Sequence, residues 1–440
     1  MGLFDFIKSI FGGSSPKPLD SSLSQHETTS AVPVAAPNPS LEAGLYRPRR
    51  TNVSLRPLEY RSSLERTSES VEIVRGKPYP FAFPGARTGE YLNLSQDGDE
   101  RWLEYYGLPS IHTPQQLASW FNVSLGTLAW LTHRTCESRR PESTDKAHYH
   151  YKWITKRSGG LRLIESPKPM LKEIQHKILH EILEQVPAHP KAHGFVKGRS
   201  IVTNARPHVR KRFVLKFDLE DFYPSVRYSR VVAIFRSLGF SREVAIWLAR
   251  LTTTTVPWNL EWPTQQWHYN NRRYGSHHLP QGAPTSPALA NLSAYGLDVR
   301  LSGLADRYNL SYTRYADDLT FSGLGKSVPA LKDIIPLVTK IIRNERFMVN
   351  FDKRKVFRNN QQQNVTGVVV NQRPNVSRKE FDRLKAILHN SVKLGPDSQN
   401  RDQVENFDAH LLGRIAHVSQ LNAQRGQKLF DLYQQINWSR

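Results

Sequence analysis

The chain has 440 residues, enough for two or three domains with a sizeable core. Its 61 Lys and Arg against 39 Asp and Glu leave a formal charge of +22, which folding does not require and which suits a polyanion, nucleic acid before an anionic membrane surface. A single cysteine, Cys136, excludes a disulfide framework, no run reaches the ~20 apolar residues that span a bilayer, and the N-terminus fits neither a secretory signal nor a myristoylation pattern, with Phe6 where Ser or Thr is needed, so a cytoplasmic protein with no membrane association is expected.

Leu3, Phe4, Ile7, Ile10 and Phe11 fall at helical spacing and predict a short amphipathic helix over residues 1–13. Its polar face is poor in basic residues, which favours docking on protein over docking on lipid. Residues 14–62 are rich in Ser, Pro and Thr and bury too little to offset the entropy of ordering, so they read as a linker. The whole of 1–100 is assigned to a largely flexible N-terminal extension. Thr113–Pro114 open a helix with Leu117, Trp120 and Phe121 inward, and a second short helix follows Val123–Ser124. Residues 169–186 read as one long helix stopped by Pro187. Strand patterns cover 213–217, 311–322 as strand, turn and strand, and 364–371. Ser377 to Glu380 form a capping box, and the tail beyond is helical, with Leu411, Leu412, Ile415, Leu429 and Leu432 available for a core.

Three short segments carry chemistry. In Phe213-Val-Leu-Lys-Phe-Asp218, alternation places Phe213, Leu215 and Phe217 on one face and Asp218 on the other, at the end of a buried strand that would hold it rigidly. In Tyr312-Thr-Arg-Tyr-Ala-Asp317-Asp318-Leu-Thr-Phe-Ser322 two adjacent acids sit at a hairpin tip. Asp-Asp alone is ordinarily a surface turn, but the aromatic and β-branched flanks set this one in a sheet. Acids packed together repel and stay ionised when a divalent cation lies among them. Two Mg²⁺ ions ~4 Å apart can activate a 3′-hydroxyl and stabilise leaving pyrophosphate. In Leu279-Pro-Gln-Gly-Ala-Pro-Thr-Ser-Pro287, Gly282 permits close backbone approach and Gln281 offers both a donor and an acceptor.

In this order the segments resemble motifs A (FDLEDFYPS), B (LPQGAPTSP) and C (YADD) of reverse transcriptases. The likeness implies an α+β right-hand polymerase fold: N-terminal helices and fingers over 101–212, palm over 213–372, thumb over 373–440. It implies catalytic, metal-holding Asp218, Asp317 and Asp318, joined in metal binding by Leu219 through its backbone, and two Mg²⁺ ions. Lys156-Arg-Ser-Gly-Gly-Leu-Arg162 resembles the fingers hairpin, where Lys156 and Arg162 clamp the incoming triphosphate. Asp221, Gln281 and Gly282 join that nucleotide site, with Tyr223 either the ring beneath the sugar or a core tyrosine. Lys353, in a segment like motif D, is either a proton donor to pyrophosphate or a solvated lysine in a charged run. Asn204-Ala-Arg-Pro-His208 and Val365-Thr366-Gly367 resemble the NAxxH and VTG elements of bacterial retron enzymes. Asn204, His208, Thr366 and Gly367 are then either RNA contacts or local caps and turn formers.

The retron likeness implies dNTP substrates, a cognate structured noncoding RNA primed from the 2′-hydroxyl of an internal guanosine, a branched RNA–DNA product called msDNA, and an accessory effector protein in anti-phage defence. Two alternatives stand: another bacterial reverse transcriptase, for which a group II intron enzyme would carry a splicing domain after the thumb, and a noncatalytic RNA-binding scaffold, which the intact acids disfavour. The aromatic segment Trp258–His278 is atypical and has no assigned role.

Overall fold

The computed structural model describes residues 71–134, 140–156, 159–263, 272–324 and 331–438. The expected N-terminal helix, the linker and Cys136 lie outside the described residues. The chain divides into two compact units; one holds 201–214 and 357–438 of the described residues, the other 71–200 and 215–356.

Order begins earlier than composition suggested. Within the 1–100 extension, β1 (Glu72–Arg75), β2 (Phe83–Pro84) and β3 (Glu90–Asn93) form an antiparallel sheet in the order β1-β3-β2. These strands are short and mostly half-exposed, so they lack the long apolar alternation that reveals a strand. Their anchor is Tyr79, whose hydroxyl donates to Glu243 at 3.2 Å and accepts from the Leu94 amide. Glu243 also receives Arg134 at 2.9 Å and the Trp247 indole at 2.6 Å, so this fully buried carboxylate is held by three donors.

The helix over Pro114–Phe121 has the Thr113–Gln116 capping box, and Leu125–Leu131 follows as expected. β4 (Tyr149–Thr155) and β5 (Leu161–Pro167) pair as an antiparallel hairpin. The long helix expected over 169–186 ends at Glu181. Ile182 leaves helical geometry and Leu183–Gln185 tighten into a 3₁₀ turn, which keeps Leu183 inward and so preserves the apolar pattern that suggested one helix.

β6 (Phe213–Asp218), β7 (Ser311–Tyr315), β8 (Asp318–Gly323) and β9 (Lys355–Arg358) make a four-stranded sheet in the order β7-β8-β6-β9. Val214, Leu215 and Phe217 are fully buried, so both faces of β6 are largely covered, and only Lys216 and Asp218 of its last residues reach a half-open face together, two residues apart. β7 and β8 pair with Tyr315 opposite Asp318, leaving Ala316-Asp317 as a two-residue turn.

In the other unit, the single strand expected over 364–371 is a hairpin. β10 (Asn364–Val365) pairs with β11 (Val368–Val369), and Thr366 and Gly367 both take positive φ (47° and 85°), reversing the chain as a two-residue turn requires. The valines on either side hid the turn in one apolar run. Three helices follow, Arg378–Leu394, Phe407–Leu421 and Ala423–Tyr433, the first capped by Ser377. They enclose Leu384, Leu388, Leu411, Ile415, Leu429 and Phe430.

Candidate active site

The end of β6 is fixed from two sides. The Leu219 amide donates to the Asp317 carbonyl at 2.9 Å, tying the strand to the hairpin tip. The Glu220 amide donates to Met348 O, and the Asn350 amide to Asp218 O, each at 2.8 Å. Asp221 and Ala316 are non-glycine residues at φ 45° and 54°, a sparsely populated region, on either side of these ties. Phe222–Ser225 then turn as a short helix that carries Tyr223.

The result is a cavity of about 310 Å³ whose wall includes Lys156, Arg162, Asp218, Leu219, Asp221, Tyr223, Gln281, Asp317 and Lys353. Nine of the residues singled out in the sequence are thus gathered around one space. Gly282 and Asp318 are absent from its wall. Gly282, at φ 136°, serves the loop instead: a Cβ there would stand 3.1 Å from the Glu165 carbonyl of β5. The Glu165 amide donates to Gln281 O at 2.9 Å, and its carboxylate meets His278 at 2.9 Å in a fully buried pair. Together they bind the β4–β5 hairpin, which carries Arg162, to the loop that carries Gln281. The sequence reading missed this role for the end of the Trp258–His278 segment, and missed Tyr274 of the same segment, which lines the cavity.

Burial raises the Asp317 carboxyl above the usual range and repulsion from Asp218 adds to it; burial also raises Asp318, against the pull of Lys216. Lys216 contacts Asp318 at 2.6 Å and Lys353 contacts Asp218 at 3.0 Å. No three Asp, Glu, His or Cys side chains among the described residues are gathered around one point. Two carboxylates are turned instead to ammonium groups. The donor set still fits a hard divalent cation: partly buried carboxylate oxygens that repel one another and draw cations to them.

The hairpin tip has its own buried support. Arg314 of β7 is fully buried and forks onto Asp298 at 2.8 and 2.6 Å. Its remaining nitrogen donates to Asn291 Oδ1 at 2.9 Å and to Ala316 O at 3.0 Å, the carbonyl just before Asp317. Tyr312 donates to Asp298 at 2.8 Å. Arginine in motif C carried no assignment from sequence, because only its buried partners reveal what it does.

Asn204, His208, Thr366 and Gly367 lie away from these residues in sequence and belong to the other unit. Asn204 and His208 are both fully buried, so neither side chain offers a surface to RNA. Asn204 donates to the Thr366 hydroxyl at 3.3 Å, and the Gly367 amide donates to Asn364 Oδ1 at 2.9 Å. The two short elements that suggested a retron enzyme are therefore joined, the first bracing the turn of the second.

Comparison with known proteins agrees with this geometry. The family model for reverse transcriptase, RNA-dependent DNA polymerase, matches residues 154–370. The retron Mx65 reverse transcriptase of Myxococcus xanthus is 42% identical over 332 residues, 75% of this chain and 73% of that protein. The retron Mx162 reverse transcriptase of the same organism is 36% identical, covering 69% of this chain and 64% of the relative. The retron Ec86 reverse transcriptase of Escherichia coli is 32% identical, covering 69% and 83%. The chain is an RNA-directed DNA polymerase, a reverse transcriptase of right-hand architecture that works on nucleic acid and depends on divalent metal. Within that class, the chain belongs to the retron reverse transcriptases.

Proposed function

We propose that this reverse transcriptase copies a cognate structured noncoding RNA, starts from the 2′-hydroxyl of an internal guanosine, and yields branched msDNA. We place it in the cytoplasm, in an anti-phage system with an accessory effector protein. The observation that carries the polymerising site is the convergence of all three motifs and the β4–β5 hairpin on one cavity.

In this reading Asp218, Asp317, Asp318 and the Leu219 carbonyl hold two Mg²⁺ ions. When bound, the metal supplies charge neutralisation and an activated hydroxyl for attack on the α-phosphate. The protein's own residues do the positioning. Arg162 presents a planar fork to the triphosphate, and Lys156 adds a point charge beside it. Gln281 offers a donor and an acceptor to the base or sugar edge. With Asp218 given over to metal, the Lys353 ammonium on the cavity wall would serve as a proton donor to departing pyrophosphate. Asn204 acts on RNA choice through the Thr366–Gly367 turn that it braces, and His208 from its buried place in the same NAxxH element, with no direct contact.

The test compares two templates. Asp317→Asn is expected to abolish synthesis on both while retaining RNA affinity, because phosphate contacts supply most of that affinity. Asn204→Ala with His208→Ala is expected to extend an ordinary primed template and to lose msDNA synthesis on the native noncoding RNA. Equal activity of the double variant on both templates would remove the turn from RNA selection. Wild-type extension by Asp317→Asn would overturn the site itself.

A further inference from the structure

The loop that precedes the NAxxH element is fastened to the catalytic hairpin residue by residue. The Arg314 amide donates to Lys191 O and the His193 amide to Arg314 O, both at 2.7 Å. Asn291 Nδ2 donates to Gly194 O at 2.9 Å, from the same side chain that accepts from Arg314. Gly194 lies so close that a Cβ would stand 2.6 Å from the Ala316 amide nitrogen. Arg199 closes the loop by donating to the carbonyls of His189, Pro190 and Ala192.

What this scaffold presents is Phe195. It sits at φ 59°, a conformation that a residue with a Cβ rarely adopts. Its side chain is held outward, with the residue 59% exposed. Its ring centroid lies 6.3 Å from that of Tyr315, the residue two before Asp317. A large apolar ring at positive φ and largely in water beside the hairpin is disfavoured on both counts, since burial would stabilise it and glycine would fit the backbone better. The occupant that suits it is a nucleoside. The strand being extended must bring its end to the hairpin, the exposed Lys197 lies two residues on, and the chain carries +22. An aromatic face accepts any base, which a polymerase copying a varied sequence requires.

We propose that Phe195 is a stacking residue for a nucleobase at the catalytic hairpin, belonging to the primer end or to the template strand. The proposal rests on the assignment of Asp218, Asp317 and Asp318 as the polymerising site. It is tested with full-length protein and a primed template carrying 2-aminopurine, either at the primer 3′ end or at the first unpaired template position. Binding without dNTP is expected to quench fluorescence in one of the two arms, which identifies the strand. Phe195→Tyr and Phe195→Trp retain the quench. Phe195→Ala and Phe195→Gly lose it and raise the KM for primed template about tenfold, toward the low end of what loss of one base–aromatic stack costs, with the KM for dNTP within about twofold. Phe195→Gly relieves the backbone strain, so its melting temperature separates lost contact from lost fold. Unchanged quenching in both arms, or an unchanged KM for primed template in Phe195→Gly, overturns the proposal. Extension by Asp317→Asn would instead overturn the site on which it rests.

Discussion

Tyr223 lies on the cavity wall, on the helical turn that Asp221 begins in a left-handed conformation. Burial pushes its hydroxyl up to about 12 and the neighbouring Asp317 carboxylate contributes, so the ring remains a neutral phenol at working pH. In the role proposed for it, a neutral ring beneath the incoming sugar would discriminate by shape, leaving no room for a 2′-hydroxyl. Tyr223→Val removes the ring edge, and is expected to raise ribonucleotide relative to deoxyribonucleotide incorporation by one to two orders of magnitude, since discrimination built on a single contact is worth roughly 1–3 kcal/mol. Single-nucleotide incorporation kinetics with matched dNTP and rNTP check this, and an unchanged ratio would return Tyr223 to a packing role. The position of this residue was legible because the motif fixes its distance from Asp218. Lys353 was singled out as well, but its contact with Asp218 was not foreseen, and Lys216 went unremarked, since both meet the acids only in three dimensions.

At the level of elements, the β7–β8 hairpin illustrates what sequence can and cannot convey. The alternating aromatics and the Asp pair predicted its strands and its turn, and both are present. The means by which a turn with Ala316 at positive φ is held was hidden, because Arg314, Asp298 and Asn291 are separated in sequence and each looks like an ordinary polar residue. The same applied to β10–β11, where the two left-handed residues could not be distinguished from a continuous strand by apolar content. Arg314→Met tests the hairpin support. Breaking a fully buried pair leaves the Asp298 carboxylate uncompensated, and a loss of about 3–5 kcal/mol in stability is expected. Adding Asp298→Leu removes that stranded charge and recovers part of the stability, the rest being lost to the buried Tyr312 hydroxyl it leaves without its acceptor. The double variant still lacks the donor to Ala316 O, so its kcat is expected to remain depressed with little change in KM for dNTP. Denaturant melts and steady-state extension separate the two effects. A double variant that recovers stability and activity together would show that the network serves folding alone.

Across the whole molecule, described structure begins inside the segment that composition assigned to a flexible extension. Residues 14–62 are poor in large apolar side chains, and none of the polymerase motifs lies before residue 71. Beyond them the argument reverses. Tyr79 and Leu94 are buried, the Tyr79 hydroxyl is one of three donors to the buried Glu243 carboxylate, and Arg134 lies 4.1 Å over the ring of Phe83 while donating to the same Glu243. Glu243 sits on the helix Arg242–Thr252, whose side chains are almost all buried in the unit that also holds the Asp218–Asp317 cavity. Deletion of residues 1–70 is therefore expected to leave both melting temperature and primer extension within experimental error of the full chain, and to remove whatever contact the extension makes with an effector. Deletion of residues 1–95 strips Tyr79, Phe83 and Leu94 from Glu243 and Arg134. A buried carboxylate left short of a donor costs roughly 1–3 kcal/mol, and the uncovered apolar surface adds to that, so this variant is expected to melt lower and to lose extension in parallel. If the 1–70 deletion already abolishes extension while remaining folded, the N-terminal segment belongs to the catalytic machinery and the boundary drawn at residue 71 is wrong.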